Sequence, residues 1–248
     1  MVTRRKLTAS QVIALAQPMG FSPANIKSHL TRMVAEGALH RSGPVRLARY
    51  WPSEKQTVVV HGITARLQNS NAERWDGGWI MMALRFPARR SAKDKLKAAL
   101  WFDGFRPWTN DTWIRPAWPK RWAMERANTY LEQSPGLCLR GWLLKPMSMA
   151  QIARAYQLDA LDREALKLAL WIRQSAVPRL PAQAFAERLR IGGMVARLVG
   201  HDPWLPAALC GRRIGMRKLL GEFHRFEARI APLAQRFLDA IFASGASS

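Results

Sequence analysis

Leu7, Val12, Ile13, Leu15 and Ala16 fall on one side of a short predicted helix that stops at Pro18-Met19-Gly20. Ser22 then stands as an N-cap, with Pro23 in the first helical position, where its missing N–H costs nothing. Ile26, Leu30, Met33 and Val34 follow at i, i+4, i+7 and i+8 as one apolar stripe, and Gly37 closes the helix. Opposite that stripe stand Asn25, Ser28 and Arg32, flanked by Lys27, His29 and Thr31. Two short extended pieces, Ala38 to Arg41 and Val45 to Trp51, join at Ser42-Gly43-Pro44. Residues 1–55 therefore read as a helix-turn-helix followed by a wing-like hairpin, a winged helix-turn-helix domain.

Residues 56–74 read as a connector. Trp75-Asp76-Gly77-Gly78-Trp79 is a turn leading into the apolar run Ile80 to Phe86, a buried strand that Pro87 ends. A helix from Ser91 turns Leu96, Ala99, Leu100 and Phe102 inward, and Gly104 breaks it. Phe105 to Trp108 and Thr112 to Arg115 form a hairpin turned at Asn110-Asp111, Trp118 to Leu131 a helix, and Leu137 to Leu144 a last strand. The order βαββαβ over residues 75–146 predicts a ferredoxin-like unit. Residues 147–248 are helical in pattern, with breaks at Pro178, Pro181 and Gly200 to Pro206. Leu219, Phe223, Phe226, Ile230, Leu233, Phe237 and Ile241 mark a narrow seam on the last helix, interrupted by Pro232, that packs within the chain or against a second copy. The fold class expected is α+β.

Charge changes the picture. Thirty-nine Lys and Arg against 17 Asp and Glu give a net +22 in 248 residues, a surplus that calls for a polyanion or an anionic ligand. It is spread evenly: +7 over residues 1–55, +8 over 56–146 and +7 over 147–248, with no long run of like charges. A slim, polar, basic helix face suits a DNA major groove. Asn25, Ser28, Thr31 and Arg32 are the candidates for reading base edges; Lys27, His29, Arg41, Arg46 and Arg49 are the candidates for holding phosphates. The competing readings are a structural three-helix module with a solvated basic face, and a general nucleic-acid-coating protein. The two cysteines, Cys138 and Cys210, point to a reducing compartment. No apolar run approaches the ~18 residues of a membrane span. Arg4, Arg5 and Lys6 before Val12 to Ala16 imitate a signal peptide, but Thr8, Ser10 and Gln11 interrupt it, so a cytoplasmic protein is expected.

Catalytic patterns are missing: no GxSxG, HExxH, Walker loop or dinucleotide fingerprint occurs, and no cofactor or metal is expected. A metal-dependent nuclease on the ferredoxin-like unit is the enzymatic alternative. It wants a carboxylate at the end of the first strand, where Arg85-Phe86-Pro87 stand instead. Asp76, Asp94, Asp103 and Asp111 are dispersed over a turn, a helix and two more turns. Eight tryptophans lie between Trp75 and Trp142, interleaved with Arg106, Arg115, Lys120 and Arg121. They either stack bases or an aryl ligand, or fill the core of this unit.

Several stretches, in order, resemble the PaaX-like transcriptional regulators, the repressor family of phenylacetate catabolism. Gly20 to Gly37 is similar to the family's recognition helix, and Trp75-Asp76-Gly77-Gly78-Trp79 to its WDGxW lead-in to the central domain. Leu100 to Phe105 and Thr112-Trp113-Ile114-Arg115-Pro116 resemble its LGF and VWISP segments, and Asp202 to Leu209 its DPxLPxxLL. The resemblance implies a winged-helix domain, a ferredoxin-like middle domain and a helical C-terminal domain. It further implies a homodimer on a double-stranded DNA operator, released by an acyl-CoA such as phenylacetyl-CoA. The chain departs from the family after Leu209, where Cys210-Gly211-Arg212-Arg213 replaces the usual approach to a tryptophan and glycine, and in its strongly basic character.

Overall fold

Capping groups in the sequence set where the first helices begin. Thr8 Oγ1 accepts from the Gln11 N–H at 3.2 Å while Gln11 Oε1 accepts from the Thr8 N–H at 2.9 Å. This reciprocal box starts α1 (Ala9–Ala16). Leu7, expected on that helix, instead lies in a two-residue strand, β1 (Leu7–Thr8), because Thr8 is spent as the cap and the chain before it is extended. A 3-10 turn at Gln17–Met19 and Gly20 at φ +83° reverse the chain. Ser22 Oγ accepts from the Asn25 N–H at 3.2 Å and opens α2 (Pro23–Ala35), which buries Ile26 and Leu30. The computed structural model describes residues 6–44, 47–68, 74–211 and 213–244.

Strands β2 (Leu39–Ser42) and β3 (Arg49–Pro52) follow, and the antiparallel order is β1-β3-β2. Leu7 and Arg41 both lie opposite Tyr50, while Thr8 and Ser42 lie opposite Arg49. The segment from Glu54 to Gln68 is helix α3, begun where Ser53 Oγ accepts from the Gln56 N–H. The stretch read as a connector is thus helical through Gln68; residues 69–73 lie outside the described residues.

A second antiparallel sheet comprises β4 (Trp79–Leu84), β5 (Arg106–Pro107), β6 (Thr112–Pro116) and β7 (Gly136–Gly141), in the order β5-β6-β4-β7. Between them run α4 (Arg90–Phe102) and α5 (Lys120–Gln133). Side chains alternate across the sheet with a period of two. Ile80, Met82, Leu84 and Trp113 pack with Leu96 and Leu100 of α4 and Ala123, Ala127 and Tyr130 of α5. Trp79 and Ile114, on the other face, pack with Ile152 and Tyr156 around α6 (Met149–Ala155) and with Leu205 and Leu209. Each fully buried aliphatic side chain of this kind contributes about 1.5–3 kcal/mol.

The remaining helices are α7 (Leu158–Gln174), α8 (Pro181–His201), α9 (Ala207–Cys210) and α10 (Ile214–Ser244). The seam expected on the last helix is largely spent within the chain. Leu219, Phe223, Phe226 and Ile230 are buried, and Phe237 packs on Phe185 with ring centroids 5.3 Å apart. Pro232 lies inside α10 on an exposed position.

The fold is therefore a mixture of helices and two small antiparallel sheets. The chain divides into two compact units. One takes the described parts of Met1–Gln68, Ala169–Ala196 and Leu220–Ser248, and the other those of Asn69–Leu168 and Arg197–Leu219. Among the described residues, no helix is long and apolar enough to cross a membrane.

Candidate nucleic-acid interface

With Ile26 and Leu30 buried and Met33 and Val34 half-buried, the opposite side of α2 is left to solvent. Asn25, Lys27, Ser28, His29, Thr31 and Arg32 are all exposed on it, so the helix brings together all six of the candidates read from this segment. Among the described residues, the side chains of Asn25, Ser28 and Lys27 carry no hydrogen bond or ion pair. Their donors and acceptors are available to an outside partner. Thr31 is different: its hydroxyl donates to the Lys27 carbonyl at 3.0 Å, leaving only lone pairs and a methyl group to offer. Arg32 Nη2 donates to His29 Nδ1 at 2.8 Å. His29 accepts there through Nδ1, and its other ring nitrogen is left for an outside contact.

The hairpin separates two residues that the sequence groups together. Arg41 shares a face with Tyr50, and Arg49 shares the other face with Ser42, since directly opposed residues on a ladder point the same way. Both arginines are exposed, but they project from opposite sides. Arg46, the third candidate of the wing, lies outside the described residues. Sequence reasoning missed Lys6. Its ammonium sits 4.5 Å from the Trp51 ring centroid, and His40 packs on the same ring at 5.5 Å. Trp51 and Arg49 are two apart on β3, so Lys6 adds a cation to the face that carries Arg49. A strand of two residues gives no periodic signal from which this could be read.

Trp101, Trp113, Trp118 and Trp122 of the unit that carries the second sheet, with Arg106 and Arg115, are consumed by structure, whereas Trp108 and Trp142 stay exposed. Arg115 is fully buried and donates through Nε to the Pro116 carbonyl at 3.0 Å, through Nη2 to that of Trp118 at 2.7 Å, and through Nη1 to that of Asp103. Three carbonyl dipoles and the faces of Trp122 and Phe105 surround its charge. Arg106 stacks 3.8 Å from the Trp101 ring and donates to the carbonyls of Trp101 and Phe105. Burial lowers its pKa to about 10, which still leaves it charged at neutral pH. Trp204 meets Trp118 and Trp122 edge-on, with centroids 5.8 and 5.5 Å away.

The dispersed aspartates also have structural work. Asp103, buried, accepts from Arg126 Nε at 2.5 Å and from the Tyr130 hydroxyl at 2.6 Å. Asp76 accepts from the Gly78 N–H at 2.9 Å and pairs with Arg140, while its carbonyl accepts from Trp142 Nε1. The Gly78 N–H, then Arg140, hold the Asp76 carboxyl below its ordinary range, partly opposed by desolvation. The WDGGW turn is a clasp between the start of β4 and the end of β7. Asp94 ion-pairs with Arg90 at 3.9 Å on the surface, and Asp111 is an exposed turn residue. Among the described residues no three of His, Cys, Asp and Glu gather as a metal would require.

No protein-family model matches the chain, and no curated protein matches it in sequence. Among solved structures it is similar to an uncharacterized protein, Rv0674, from Mycobacterium tuberculosis. The TM-score is 0.56 at 19% identity, over 93% of this chain and 91% of that one, a likeness of fold alone.

Proposed function

We propose that this chain is a sequence-specific DNA-binding transcriptional regulator of the PaaX-like type, a dimeric repressor that an acyl-CoA ligand releases from its operator. One observation carries the DNA-binding part: the exposed side of α2 is slender and polar, the side chains of Asn25, Ser28 and Lys27 have no partner among the described residues, and the helix is mounted on a buried Ile26 and Leu30. A helix that enters a major groove needs such a face. In this reading α1, α2 and the β2–β3 hairpin are a winged helix-turn-helix, with Arg49 and Lys6 toward phosphates on one face of the hairpin. The strand order β5-β6-β4-β7, with α4 and α5 packed on one face, supports reading the second sheet as ferredoxin-like. The dimer and the acyl-CoA effector rest on the sequence resemblance.

The even spread of positive charge favours a second reading, a general nucleic-acid-coating protein. Selection of sites from a random duplex library, followed by affinity measurement at physiological salt, separates the two. A regulator binds its selected site ~10³-fold or more tightly than random duplex. A ratio near one leaves the coating protein and ends the regulator proposal.

A further inference from the structure

Between Arg85 and Lys97 the chain places six cations, Arg85, Arg89, Arg90, Lys93, Lys95 and Lys97, against the single acid Asp94. Asp94 goes to Arg90, at 3.9 Å on the surface. Among the described residues, the side chains of the other five carry no hydrogen bond or ion pair. That sets them apart from Arg106, Arg115, Arg126 and Arg140 of the same unit, each taken by backbone carbonyls or by an aspartate.

Helix α4 arranges three of these cations in a row. Arg89 is its N-cap, and Lys93 and Lys97 follow at intervals of four residues, about 6 Å along a helix axis. The ammonium groups of Lys93 and Lys97 both stand 5.6 Å from the centroid of the Phe86 ring, which packs in turn on Trp113 at 6.3 Å. Like charges one turn apart repel, and among the described residues no ion pair relieves these two. Arg89 gives α4 no side-chain cap and no acid stands in its first turn, so the positive end of the helix dipole is uncompensated. Beside the row lies a cleft of about 640 Å³ whose lining includes Arg85, Phe86, Lys93, Pro135 and Gly136. Asp111 is the one acid among its lining residues, and it keeps a polyanion to the side of the cations.

We propose that this row is a contact for the backbone of duplex DNA, with phosphates of one strand on Arg89, Lys93 and Lys97 and on Arg85 beside them. A single strand is held by stacking its bases on open aromatic faces. The Phe86 ring has both ammonium groups over it and Trp113 against it, so the row suits phosphates and not bases. Such a contact carries no sequence information, lies wholly within one unit of the chain, and stands whether or not α2 reads bases.

The test is fluorescence anisotropy of the full chain with a random-sequence duplex and with a single strand of the same length, over a range of salt. Lys93→Gln/Lys97→Gln loses affinity for the random duplex tenfold or more at physiological salt, and the slope of log affinity against log salt falls by about two. Lys93→Arg/Lys97→Arg keeps both charges and binds like the parent. Arg217→Gln/Lys218→Gln removes two exposed cations of the same unit, on α10, and changes affinity less than twofold. Arg85→Gln/Arg89→Gln leaves both Phe86 contacts in place and weakens the duplex in the same way, so the test holds if the first variant does not fold. The proposal is overturned if the folded Gln variants of the row bind random duplex like the parent, if the α10 variant loses as much, or if the loss falls on the single strand alone. A selected-to-random ratio near one is a different result: it ends the regulator reading and leaves this contact standing.

Discussion

Arg32 and His29 act as a pair one turn apart, and their geometry sets an order of importance on α2. Replacing Arg32 with Ala is expected to cost about 1–3 kcal/mol at the selected site and to relax base preference at one position. His29→Ala leaves the guanidinium in place but unpositioned, so its loss is smaller and falls on the same base. Competition between the selected duplex and single-base variants reads both effects, and an unchanged preference in Arg32→Ala removes that residue from base reading. Asp76 supports a prediction in pH. Its carboxyl titrates below its ordinary value in the folded chain, so it adds stability above that value and loses it as pH falls through the lower folded one. The Asp76→Asn variant, which keeps an acceptor for the Gly78 N–H but not the charge facing Arg140, shows a shallower decline in melting temperature below about pH 4. Equal acid slopes in parent and variant dismiss the clasp as a source of pH-dependent stability.

Among the elements, α2 is legible in sequence because a cap, an N1 proline, an apolar stripe and a terminal glycine all agree. Helix α3 is not, because Thr57, Val58, Val59, Val60, Gly62 and Thr64 are weak helix formers, and a connector follows naturally from them. The buried roles of Arg106 and Arg115 are equally hidden. A basic residue between tryptophans looks the same in one dimension whether it waits for a ligand or is enclosed by carbonyls. The order of strands around β4 is readable from the sequence of elements, whereas the contacts of the Asp202 to Pro206 loop are not. That loop brings the Pro203 carbonyl against Gly104, where an added Cβ would lie 2.5 Å from the oxygen. Gly104 also has φ +80°, a conformation that costs other residues about 1 kcal/mol or more. Gly104→Ala is therefore expected to destabilise the chain by about 2–3 kcal/mol in urea unfolding. A change under about 0.5 kcal/mol means that the loop moves aside at no cost.

At the scale of the whole molecule, the +22 charge belongs to no single tail or domain. The proposed DNA binding carries with it a strong dependence on salt, because each neutralised phosphate releases counterions. Removing Lys27 is expected to weaken selected and random duplexes alike and to lower the slope of log affinity against log salt by about one. A slope unchanged in Lys27→Ala takes that ammonium off the phosphate backbone. The indole of Trp204 lies edge-on to those of Trp118 and Trp122, so three chromophores within one unit are close enough for their excited states to mix. The chain thereby carries an intrinsic optical gauge: displacement of the loop bearing Trp204 uncouples the transitions and alters both circular dichroism and emission, with no label attached.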